Sequence, residues 1–98
     1  MIAVTEEERE IVLDILKHNT PPGCKAWAFG SRLEGRHKPY SDLDLAIIAD
    51  KPLSISQRGL LREAFEASDL PYRVDIVDYR AASRSFRDVI DRQHEVMI

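Results

Sequence analysis

A chain of 98 residues, 44% hydrophobic and 32% charged, with a formal net charge of −3, has the size and make-up of one small folded domain spanning 1–98. The charge excludes a general nucleic-acid binder, which carries a net basic face, and the longest apolar run, Leu45 to Ala49, is too short to cross a bilayer. Cys24 stands alone, which excludes an intrachain disulfide or a cysteine-based zinc site. The start, Met1 to Glu7, lacks the basic segment of a signal peptide, so a reducing cytoplasm is the expected setting.

Along the chain, Thr5 followed by Glu8 reads as a capping box, with Glu6 and Glu7 in a first turn where the helix dipole favours acids. Ile11, Val12, Ile15 and Leu16 keep helical spacing up to Lys17-His18-Asn19, and Pro21-Pro22-Gly23 breaks the chain. Lys25 to Phe29 reads as a strand. From Gly30 to Ser41 the pattern predicts a turn, one or two helical turns and a loop, and Asp42 to Ala49 reads as a second strand. Ser54 and Gln57 form another capping box before a helix to about Ser68. Pro71 precedes a third strand, Tyr72 to Val77, and Phe86, Val89, Ile90 and Met97 mark a last helix from about Ser83. The order α-β-(α)-β-α-β-α predicts an α/β or α+β two-layer domain with a small sheet.

The strands carry acids where acids are disfavoured. Two-residue periodicity puts Asp42 and Asp44 on one face and Leu43, Leu45 and Ile47 on the other, while Asp75 alternates with Val74 and Ile76 on the third strand. Carboxylates about 6.5–7 Å apart repel by roughly 2–3 kcal/mol at an effective dielectric near 20. A hard divalent cation reverses the sign of that interaction, because it takes carboxylate oxygens as ligands. The helix between the second and third strands makes them parallel neighbours, which brings Asp44 beside Asp75. Sites of parallel sheets lie at carboxyl ends of strands, whereas these acids are near amino ends. A mixed sheet with the first strand antiparallel to the second resolves the conflict by carrying Gly30 to the Asp42 end. Taken alone, Asp-x-Asp also fits the solvated face of an edge strand.

Gly30-Ser31 ends the first strand in a turn whose free N–H groups suit an anion, with Arg32 adding charge or simply lying in solvent. Gly30 and Gly35 have P-loop spacing, but Arg36-His37 follows in place of Lys-Ser/Thr, which rejects that reading. His37, Lys38, His18 and His94 read as surface or helix-end residues, Trp27 and Phe29 as core, and Asp78 as a turn residue. Arg73 suits either a phosphate or a neighbouring acid.

Gly30-Ser31-Arg32-Leu33-Glu34-Gly35, then Ser41-Asp42-Leu43-Asp44-Leu45, then Val74-Asp75-Ile76-Val77 resembles the DNA-polymerase-beta-like nucleotidyltransferase superfamily. More narrowly, it resembles the minimal nucleotidyltransferases, over nearly the whole chain. The resemblance implies that fold. It implies that Asp42, Asp44 and Asp75 hold Mg²⁺ (Mn²⁺ as a substitute), with Asp75 helping to deprotonate the attacking hydroxyl. Gly30 and Ser31 would hold the β- and γ-phosphates of ATP or another NTP, with Arg32 as a further phosphate contact. It implies transfer of NMP, foremost AMP from ATP, onto a hydroxyl acceptor. The acceptor expected from the family is a tyrosine of a HEPN-type helical partner, with the pair acting as toxin and antitoxin. On this reading, a partner subunit or a second copy supplies the rest of the site. The rival expectation is a non-catalytic module that neutralises such a partner. Modification of a small molecule would need an acceptor pocket that the sequence does not reveal.

Overall fold

A computed structural model describes residues 2–98. Helix α1 (Glu6–Asn19) opens on the expected Thr5–Glu8 capping box and leads into strand β1 (Lys25–Phe29). A single-turn helix α2 (Ser31–Glu34) follows, then β2 (Leu43–Ile48) and the crossover helix α3 (Ile55–Glu66), which starts on the Ser54–Gln57 capping box. Strand β3 (Val74–Asp78) runs through a short 3₁₀ turn, Tyr79–Ala81, to helix α4 (Arg84–Arg92), capped by Ser83. A two-residue strand β4 (Glu95–Val96) closes the order.

The sheet order is β3-β2-β1-β4, with β2 and β3 parallel and both other pairings antiparallel. This is the mixed sheet that the acid positions required. One face packs on α1 and α3 through Ala26, Ala28, Leu43, Leu45, Ile47 and Ile76, which meet Val12, Leu16, Leu61 and Phe65 in the main core. Full burial of each such leucine or isoleucine contributes about 1.5–3 kcal/mol, so this face fixes the strand register. The other face is only partly roofed. Ile90 of α4 packs on Phe29 and Ala46, flanked by Trp27, Val77 and Tyr79.

Two expectations need correction. Met97 is not on the last helix. Its N–H donates to the Ala26 carbonyl (2.8 Å) and its side chain is buried in the main core. Strand β4 had no sequence signal, because two residues are too few for alternation to show and the pairing is long-range. Asp42 lies just before β2, not inside it. Asp78 does open a turn as expected, accepting from Arg80 N–H (3.2 Å), but its buried carboxylate also accepts from Leu53 N–H (2.8 Å) and so ties α3's lead-in to β3. Among the described residues no helix is long and apolar enough to cross a membrane.

Candidate functional site

The acids and the glycine turn meet at one end of the sheet. Antiparallel pairing puts Phe29, the last residue of β1, opposite Asp44, and parallel pairing puts Asp44 opposite Asp75. Gly30 follows Phe29 directly, so the turn lies against Asp44. Its φ of 85° belongs to the left-handed region, and a β-carbon built there would collide with the Asp44 carboxylate. Glycine is therefore required twice, by backbone conformation and by close approach. Beyond Gly30, the N–H groups of Leu33 and Glu34 return to the Gly30 carbonyl (both 3.1 Å), and Ser31 begins α2 at the mouth of the site.

Burial and the neighbouring charges of Asp75 and Asp42 push the Asp44 carboxyl up to about 6. Among the described residues none of the three carboxylates accepts a hydrogen bond or forms an ion pair. Asp44 and Asp75 face each other across the sheet with Asp42 nearby, and carboxylate oxygens are hard donors of the kind a divalent ion prefers. No three His, Cys, Asp or Glu side chains among the described residues are gathered into a ready metal-binding group. A cation shared with a nucleotide's phosphate oxygens fits such an incomplete set better than an all-protein cage does.

Arg32 departs from expectation. Its side chain is buried, with Nε donating to the Ser41 carbonyl (2.9 Å), Nη1 to Ala3 (2.8 Å) and Nη2 to Pro39 (2.9 Å). Its guanidinium lies 3.8 Å from the centroid of the Tyr72 ring, and the Tyr72 hydroxyl bonds Glu8 (3.0 Å). In this structure Arg32 clamps the loop that delivers Asp42, with three of its five N–H donors on backbone carbonyls. The Arg73 side chain makes no hydrogen bond or ion pair among the described residues, and the residue lines a cavity of about 740 Å³ together with Asp42 and Asp75. Tyr40, Arg62 and Phe65 also line this cavity. Sequence reasoning did not single out Tyr40 or Arg62, since a loop tyrosine and a helix arginine have no local mark. Trp27 is half-buried and stacks on His94 at 3.9 Å between ring centroids, away from the turn.

The family model for polymerase beta nucleotidyltransferases matches residues 10–98. The chain belongs to this family. A probable protein adenylyltransferase MntA of Haemophilus influenzae is 47% identical over 94 residues, covering 96% of this chain and 82% of that protein. Among solved structures, a toxin–antitoxin with AMP-PNP superposes with a TM-score of 0.78 at 29% identity, over 92% of this chain and 72% of that one. A Shewanella oneidensis MNT antitoxin in complex with a tri-AMPylated HEPN toxin gives 0.72 at 26% identity, over 95% and 71%. The mixed sheet with helices on its faces is thus the polymerase-beta-like nucleotidyltransferase fold, and the chain is a nucleotidyltransferase.

Proposed function

We propose that this nucleotidyltransferase is a Mg²⁺-dependent protein adenylyltransferase that moves AMP from ATP onto a hydroxyl, foremost a tyrosine, of a HEPN-type partner. In this role it is the antitoxin half of a cytoplasmic two-component system. The observation that carries the reading is the convergence of Asp44 and Asp75 across the β2–β3 register, with Gly30 pressed against Asp44. The 47% identity to a probable protein adenylyltransferase supports it.

On this reading Asp42, Asp44 and Asp75 would hold the divalent ion, which supplies charge neutralisation for the phosphates and for the leaving pyrophosphate. The turn at Gly30 and Ser31 receives the β- and γ-phosphates, because glycine lets them approach the main chain and the serine hydroxyl adds a donor. The acceptor oxygen attacks the α-phosphorus, the bond to the bridging oxygen of pyrophosphate breaks, and Asp75 takes the hydroxyl proton. Positioning in line and neutralising charge are most of what such transfer demands.

The test is incubation of the purified protein with ATP labelled at the α-phosphate, with and without a HEPN-type partner, across Mg²⁺ and Mn²⁺ concentrations. Label on the partner is expected, and it should disappear in the double variant Asp42→Asn, Asp44→Asn. No label at any metal level would overturn the proposal. Full neutralisation of the partner by the double variant would establish the binding-module reading in its place.

A further inference from the structure

Strand β3 ends the sheet, pairing with β2 on one side and, among the described residues, with no strand on the other. Its inner side is set by the bond from Leu43 N–H to the Arg73 carbonyl (2.9 Å) and by the parallel register that follows. In a parallel ladder alternate residues face one neighbour, so residues 73, 75 and 77 address β2. The main-chain N–H and C=O groups of Val74 and Ile76 therefore address the open edge. Five consecutive residues here, 72–76, line the 740 Å³ cavity, whose opposite wall is the C-terminal end of α3 with Arg62 and Phe65. The cavity is thus a trough along an unpaired edge, and two of the reacting acids, Asp42 and Asp75, stand in its wall. Gly30 and Ser31 are not among its lining residues, so it opens on the Asp75 side of the acids rather than on the glycine turn.

Resting on the adenylyl-transfer reading, we propose that the acceptor-bearing segment of the partner binds this trough in extended form, adding a strand to β3 through the main chain of Val74 and Ile76. Strand addition uses main-chain bonds for affinity and alternate side chains for selection. A residue paired opposite Asp75 directs its side chain onto the face that carries the acids, with β-carbons about 4.5–5.5 Å apart. Reaching the gap between Asp75 and Asp44 from there spans about one further strand spacing, roughly 4.8 Å. A tyrosine covers that span and a serine does not, so main-chain docking itself selects a long hydroxyl side chain. Arg73 and Asp75, exposed on the edge strand, guard it against unspecific pairing with other chains.

Two measurements on the full chain test this. Hydrogen exchange of the wild-type protein, alone and with the HEPN-type partner, should show slowed exchange at the Val74 and Ile76 amides in the complex. In kinetics, Val74→Pro removes an outward N–H where an edge strand tolerates proline. Val74→Ala loses similar packing but keeps that N–H, so the difference between the two variants reads the main-chain bond. The expected result is an acceptor KM about tenfold higher for the proline variant than for the alanine variant, with the KM for ATP equal in both. Wild-type label transfer without amide protection, or equal acceptor KM in the two variants, overturns strand addition and leaves adenylyl transfer standing. A raised KM for ATP in the proline variant alone would assign the trough to the nucleotide and also overturn the proposal. Absence of wild-type label transfer removes the underlying reading itself.

Discussion

Asp44 lies between Asp42 and Asp75 on a partly roofed face, and burial followed by those two charges holds its carboxyl at about 6, above its ordinary 3.8. A carboxyl whose pKa is raised by folding binds its proton more tightly in the folded chain. Its favourable contribution is therefore complete below about pH 3.8 and lost as pH rises through about 6. In Asp44→Asn the group stays neutral, so thermal unfolding at pH 7.5 should show the variant more stable than wild type. Allowing for partial solvation, the gain is about 1–2 kcal/mol, a rise in Tm of roughly 5–10 °C in a domain this small. The difference should vanish near pH 4, while transfer falls by about a hundredfold or more. A variant less stable than wild type at pH 7.5 would show that the charge is compensated in the free protein. Gly30 belongs to the same compromise, since its missing β-carbon is what leaves room for the carboxylate.

At the scale of elements, the loop between α2 and β2 is tied to the rest of the chain by the Arg32 side chain. Arg32 binds three carbonyls that come from the N-terminal segment and from the loop ahead of Asp42. Arg32→Ala should cost about 2–4 kcal/mol in urea unfolding, because it strips several buried partners at once. Arg32→Lys separates the two roles: lysine restores a phosphate charge but not the three-way fork. If Arg32 is a clamp, the lysine variant should lose most of the same stability, with its KM for ATP moving no further than that of alanine. Rescue of the KM by lysine would return Arg32 to the phosphate. The capping boxes at Thr5 and Ser54, the acid alternation and the Gly30 turn were legible because each is a local pattern with a short-range cause. The antiparallel partnering of β1 was legible by a different route, because the acids had to share an end with the glycine. The clamp was not legible, since a turn arginine looks the same whether it faces solvent or backbone carbonyls up to 29 residues away. Strand β4 and the placing of Met97 escaped for the same reason, being decided by pairing with β1 rather than by anything near them.

As a whole the molecule is small, with a radius of gyration of 12.6 Å, and its ends are joined. Glu95 on β4 accepts from Ile2 N–H (2.8 Å) and from Arg9 (3.0 Å). Burial opposes the charge on Glu95, but these bonds and nearby positive groups hold its pKa below the ordinary carboxylate range. A lowered pKa gives the opposite sign to Asp44: the Glu95 contribution is present at neutral pH and is lost on acidification through the folded pKa. The acids of the site leave a second global mark. Millimolar Mg²⁺ should raise Tm by a few degrees at pH 7.5, since a ligand that binds only the folded state stabilises it. The shift should shrink towards pH 5, where Asp44 holds a proton, and should be absent in Asp42→Asn, Asp44→Asn. A shift of equal size in the double variant would place the ion elsewhere.

The direction of α3 has one more consequence. As the crossover between parallel strands, it runs back from the far end of β2 and finishes beside the start of β3, with Arg62, Phe65 and Glu66 near Asp75. The carbonyl end of a helix carries about half a negative charge. The dipole of α3 therefore adds to the negative field of the acids. Many nucleotide sites in α/β proteins do the reverse and point an amide end at the phosphates. On the proposed reading, the metal complex of ATP would meet less repulsion from the carboxylates and the helix end than the bare nucleotide would.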